Sequence, residues 1–116
     1  MIARIKEWLD GFSDQYEVRI FRDRMVLHNT RTKRSLDRRA MKRFSSDRML
    51  VADPDAAAAL LGSLIREMDQ ARRFAMWPTA NIRLMEPGYA PSETEVEAIR
   101  EAVDAVGFRR VEIVRS

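Results

Sequence analysis

His28, the only histidine in the 116-residue chain, and the adjacent pair Ser45 and Ser46 are the first residues whose types could do chemistry. A serine nucleophile needs a base within hydrogen-bond reach and a third group that orients the base. No such partner stands at a recognisable spacing from Ser45 or Ser46, and His28 reads as a strand-end residue facing solvent. Metal-assisted phosphodiester cleavage needs several carboxylates converging on two ions, one of them from the middle of a first strand. The corresponding position here is Arg19, flanked by Asp14, Glu17 and Asp23 without evident partners. The chain has no cysteine, which excludes disulfides and thiolate ligands, and a single histidine argues against a zinc site. Glu93, Glu95, Glu97 and Glu101 read as the solvated face of a helix whose N-terminal dipole tolerates acid. No catalytic residue, cofactor or metal site is expected, and the protein reads as a non-enzyme.

Two other stretches could bind rather than react. Arg22 to Arg48 holds ten basic residues against Asp23, Asp37 and Asp47, a local charge of +7 in a chain of net +3. Arg31, Lys33, Arg34, Arg38, Arg39, Lys42 and Arg43 are its candidate anion contacts, for nucleic acid or anionic lipid. Once the strand pattern begins, Phe44 is its lone aromatic, so a stacking platform for bases is missing and nucleic acid is the weaker partner. At the N-terminus, Ile2, Ile5, Trp8 and Leu9 fall at helical spacing within residues 1–12, a short amphipathic helix. Such a segment could lie on a membrane interface or cover a domain or dimer contact. Glu7 and Asp10 oppose an anionic surface and favour packing.

These residues are positioned by elements that the periodicity marks out. Tyr16, Val18 and Ile20 alternate with Glu17, Arg19 and Phe21, and Met25 to His28 follows a polar break, which predicts a hairpin. A third strand is expected within Lys33 to Met41, then a loop at Phe44 to Asp47. Asp53 and Pro54 cap a helix whose stripe is Ala57, Leu60, Leu61, Leu64, Ile65 and Met68, running to about Arg72. Asn81 to Met85 reads as a strand. Ser92 and Glu95 form a capping box, Val96, Ile99, Val103 and Val106 line one face, and Gly107 ends the helix before a last strand, Arg110 to Val114. The order α-β-β-β-α-β-α-β predicts an α/β fold: a mixed five-stranded sheet, strands one to three antiparallel and four and five parallel to the first. That is a ribonuclease-H-like arrangement of the actin-subdomain type, with a short N-terminal helix added, expected as one domain over residues 1–116. No run of about 18 apolar residues and no signal-peptide pattern is present, so a cytoplasmic protein is expected, with peripheral contact at the inner membrane left open.

Two quoted stretches carry a family resemblance. VADPDAAAALLGSLIREM (Val51 to Met68) resembles the segment of the rod shape-determining bacterial actins, MreB, in which an Ala-Asp-Phe-Asp turn opens a helix ending in Ile-Arg-Lys-Val. TEVEAIREAVDAVGFRRVEIV (Thr94 to Val114) is similar to that family's Thr-Glu-Val-Glu-Arg-Arg-Ala-Ile-Arg-Glu helix and the following Ala-Arg-Glu-Val strand. The resemblance implies a truncated relative, the first actin-like subdomain only. The departures also inform. Where the family carries an Asp-Leu-Gly-Thr-Ala-Asn-Thr phosphate turn, this chain reads Arg19-Ile20-Phe21-Arg22-Asp23-Arg24, without the small residues that admit a phosphate to backbone N–H groups. Where the family continues Ile-Glu-Glu-Pro, this chain reads Val114-Arg115-Ser116. Neither ATP binding nor hydrolysis is expected. The resemblance implies an interaction protein of the cell-shape or cytoskeletal type that pairs with itself or with a full-length filament protein. Phe21, Trp77 and Tyr89 are candidate contacts on the surface that truncation frees, and no small-molecule substrate is expected.

Overall fold

The computed structural model describes residues 15–68 and 79–114; the amphipathic segment 1–12 (Ile2, Ile5, Trp8, Leu9), Asp14 and Trp77 lie outside them. The alternation at Tyr16, Val18 and Ile20 builds β1 (Gln15–Phe21), which turns at Arg22 and Asp23 into β2 (Arg24–Asn29). Residues 30–33 then lead to β3 (Arg34–Arg39). Asn29 makes that second turn possible: it is fully buried, and its Oδ1 accepts the N–H groups of Arg31 and Thr32 at 2.9 and 3.2 Å. Lys33 closes the turn with φ 65°, a left-handed conformation.

The Asp53 cap forms as its residue type dictates, with Oδ1 accepting the Ala56 N–H at 3.0 Å at the start of α1 (Pro54–Met68). The expected extension of α1 to Arg72 lies outside the described residues. β4 (Thr79–Leu84) begins two residues before the expected strand, because Thr79 and Ala80 continue the parallel ladder against Gln15 and Tyr16. α2 (Glu93–Val106) ends at Gly107, whose φ of 107° suits glycine and whose N–H reaches back to Asp104 O, and β5 (Arg110–Val114) follows.

The sheet order is β3-β2-β1-β4-β5, with β1, β2 and β3 antiparallel and β1, β4 and β5 parallel. This is the mixed five-stranded arrangement that the element order implies. Both helices pack on one face: Ala57 and Leu61 of α1 and Ile99, Ala102 and Val103 of α2 meet over Val18, Ile20, Met25 and Ile82. The stripe Ala57, Leu60, Leu61, Leu64, Ile65 and Met68 is buried throughout, and Tyr16 meets Phe108 edge-on at 5.6 Å between ring centroids. The other face is polar along its centre, where Glu17 lies within 2.5 Å of Arg19 Nε and 3.7 Å of Arg83 Nε. Because Arg19 and Arg83 are register partners on β1 and β4, Glu17 relieves what would be a direct repulsion of like charges. Among the described residues, no helix is long and apolar enough to cross a membrane.

Candidate functional site

The β1–β2 turn and the loop between β3 and α1 form the most densely bonded part of the surface. Asp23 sits in the turn with φ 52°, a conformation that aspartate tolerates better than most side chains. That conformation aims its carboxylate at the loop. Oδ1 accepts the consecutive N–H groups of Phe44 and Ser45, each at 2.9 Å, and Oδ2 accepts Arg43 Nε at 3.0 Å. Two adjacent backbone donors and a guanidinium make the kind of set that grips an external anion. Here the chain's own carboxylate fills it. The Asp23 N–H in turn donates to Ser45 Oγ at 2.9 Å, and that hydroxyl donates to the Leu50 carbonyl. Ser45 is therefore a loop brace, and its buried hydroxyl has a structural use that its sequence context does not advertise.

Partial burial works to raise the Asp23 carboxyl, but the Ser45 N–H, the Arg43 guanidinium and the Phe44 N–H outweigh it and hold the group below its ordinary value. A depressed carboxyl stabilises the fold above its unfolded value near 3.8, and that contribution is lost as pH falls through the lower folded value. Thermal melts of wild type and Asp23→Asn are expected to differ most near neutrality and to converge as pH falls from 3.8 through the lowered folded value.

A second network holds the same loop from the far side. Glu95, in the first turn of α2, is 1% exposed. Its Oε2 accepts the Val51 N–H at 2.8 Å, and its Oε1 accepts the Tyr89 hydroxyl; the same phenol oxygen accepts the Leu50 N–H at 3.0 Å. This corrects the expectation that Glu95 belongs to a solvated acidic face. Half of the predicted capping box is present, since Ser92 Oγ accepts the Glu95 N–H at 3.2 Å. The glutamate carboxylate, however, turns inward to satisfy buried loop amides. Burial, aided by the Glu95 carboxylate, pushes the Tyr89 phenol up to about 12. A raised value means that its contribution is intact below the ordinary value near 10 and disappears as pH rises through about 12. Tyr89→Phe is expected to destabilise the fold by about 1–2 kcal/mol at neutral pH, measured by urea titration, because the Leu50 N–H loses its acceptor.

The basic segment is brought together with carboxylates from elsewhere in the chain. Arg22 pairs with Glu86 through Nε and Nη2 and also donates to the Ser46 carbonyl. Arg24 reaches Asp37, Arg38 binds Glu67, Lys42 lies 3.6 Å from Asp53, and Arg34 donates to the Met68 carbonyl. Glu67, Glu86 and Asp53 all lie outside the basic stretch, so their compensation is invisible in the local charge count. Arg31, Lys33, Arg39 and Arg43 have exposed side chains, and Met41, at the tip of the following loop, is fully exposed.

Of the candidate interface residues, Phe21 is half-buried beneath the Arg24 guanidinium, 4.0 Å from its ring centroid. Tyr89 is half-buried with its hydroxyl turned inward. His28 is half-buried and bonded to Ser35 Oγ at 2.6 Å. Glu17, Asp23 and the acidic residues of α2 do not converge: among the described residues, no three histidine, aspartate or glutamate side chains could hold a metal ion together.

No protein-family model matches the sequence, and no curated protein matches it. The fold is similar to that of MreB5 of Spiroplasma citri, solved as a crystal structure bound to ADP, with a TM-score of 0.61 and 14% sequence identity. The similarity covers 90% of this chain and 39% of MreB5, so the chain spans well under half of that protein's length. It establishes an actin-type subdomain fold.

Proposed function

We propose that this protein is a non-enzymatic, actin-like interaction module linked to the bacterial cytoskeleton or cell shape, acting by self-association or by binding an actin-like filament protein. The observation that carries the reading is Asp23. On a fold shared with a protein crystallised with ADP, the turn after β1 carries a carboxylate that occupies the Phe44 and Ser45 N–H groups and the Arg43 guanidinium of the facing loop. An incoming phosphate would have to displace that carboxylate and repel it at the same distance. What such a scaffold retains is surface: two sheet edges, β3 and β5, with no pairing partner among the described residues. Edges of this kind bind other strands.

A nucleic-acid or anionic-membrane reading is less well supported, because Arg22, Arg24, Arg38, Lys42 and Arg43 each face a carboxylate of the same chain. Phosphate contact at those positions would first break an internal pair.

The test is co-sedimentation of the purified protein with a polymerised actin-like filament protein, alongside light scattering of the protein alone. Retention in the pellet or a mass above the monomer supports the reading. A monomer that binds no filament, yet is retained on DNA or heparin and released steeply by salt, refutes it.

A further inference from the structure

The two edges without a pairing partner among the described residues are matched to each other in direction and charge. Since β2 runs opposite to both β1 and β3 while β4 and β5 run with β1, the edge strands β3 and β5 point the same way. A second copy displaced sideways without turning over therefore brings its β5 beside β3 as a parallel neighbour. On the polar face, the register row Ser35, His28, Glu17, Asn81, Glu112 places Ser35, Asp37 and Arg39 on the same side of the sheet as Arg110 and Glu112. One parallel alignment sets Asp37 against Arg110 and Arg39 against Glu112, two opposite-charge pairs at once. All four side chains are exposed.

The helix side fits the same alignment. It puts Arg38, which keeps Glu67 of its own copy, against Val111 at the edge of an open cleft of mixed charge beside α2, where Glu97, Glu101 and Asp104 stand with Arg100 and Arg109. Like-with-like pairings are poorer. Two β3 edges would crowd Arg34, Arg38 and Arg39 against their own copies, and two β5 edges would leave the β3 arginines unmatched.

We infer that this protein assembles head to tail with further copies of itself, β3 of one copy accepting β5 of the next through Arg39–Glu112 and Asp37–Arg110. This inference rests on the self-association half of the proposed function. The contact is heterologous and does not close by a two-fold axis, so it propagates. Each copy steps along the strand direction by the four residues that separate Ser35 from Arg39, roughly 13 Å at strand rise.

Sedimentation velocity over a concentration series tests it, with Arg39→Glu, Glu112→Arg, their equimolar mixture and the Arg39→Glu/Glu112→Arg double variant. Circular dichroism melts check that each variant is folded. The wild type is expected to grow beyond a dimer with concentration and to shrink in high salt. Each single variant is expected to lose at least tenfold in association. The mixture is expected to recover growth with the two variants alternating, because its intact Arg39–Glu112 contact and its charge-swapped contact are both complementary, and the double variant is expected to recover growth through the swapped contact alone. Three results would overturn the inference: a wild type that remains monomeric, which makes the arginines mere edge guards; a closed dimer indifferent to Arg39→Glu; or assembly unchanged in both single variants. The last two leave self-association standing, and the first leaves filament binding standing, so failure here is distinguishable from failure of the proposed function.

Discussion

Glu95→Ala is expected to lower the free energy of unfolding by about 3 kcal/mol at neutral pH, the largest single effect of any polar substitution in this chain. Its carboxylate is 1% exposed and serves both the Val51 N–H and the Tyr89 hydroxyl. Removing it orphans the buried Val51 N–H and takes the acceptor from the Tyr89 hydroxyl. It also loosens Leu50 and Val51, each 1% exposed, which the carboxylate holds against α2 directly or through Tyr89. Glu95→Gln keeps the shape and one acceptor oxygen, and is expected to lose roughly half as much. Paired with Tyr89→Phe, Glu95→Ala is expected to be non-additive, since both act on one network. Chemical denaturation of the four proteins in the cycle measures this directly; additive losses would mean that the two side chains act separately.

Asp23→Ala is expected to cost about 2–3 kcal/mol, and for two separable reasons. The substitution removes the acceptor shared by the Phe44 and Ser45 N–H groups and the partner of Arg43. It also places a side chain that disfavours left-handed backbone at φ 52°. Asp23→Gly removes the carboxylate but relieves the backbone, so it is expected to be the milder variant by about 0.5–1 kcal/mol. Asp23→Asn keeps the backbone preference and one acceptor oxygen but surrenders the charge. The order of stability predicted from urea midpoints is wild type, Asn, Gly, Ala. An Ala variant as stable as Gly would show that the turn's conformation carries no strain.

Much of the fold was legible from the residues. The α1 stripe, the β1 alternation, the Asp53 cap and the glycine stop at Gly107 are local signals, each decided by neighbours within a few positions. β3 was legible mainly by place, because its exposed, arginine-rich sequence carries little apolar alternation; it is a strand because β2 offers it a ladder. The site was much less legible. The spacing of Ser92 and Glu95 is the same whether the glutamate bonds its own helix or a loop 44 residues upstream, so the pattern could not report the inward turn. A tyrosine six residues earlier, on the approach to the helix, was the one available hint. Likewise, the density of arginine between Arg22 and Arg48 suggested an anion site, while its neutralisation depends on Asp53, Glu67 and Glu86, which only the tertiary fold brings near. The Asp23 contact joins a turn to a loop 21 and 22 residues away, a distance at which composition says nothing about pairing.

The proposed function depends on Asp23 of the β1–β2 turn occupying the donors of the facing loop, so that a phosphate would find them already bonded. Isothermal titration of the full chain with Mg-ATP and with Mg-ADP tests it most directly. The account predicts no saturable heat up to millimolar nucleotide in the wild type, because the donors facing the turn are already held by the Asp23 carboxylate. Saturable binding at micromolar nucleotide in the wild type, abolished by altering Arg43 or Asp23, would contradict it.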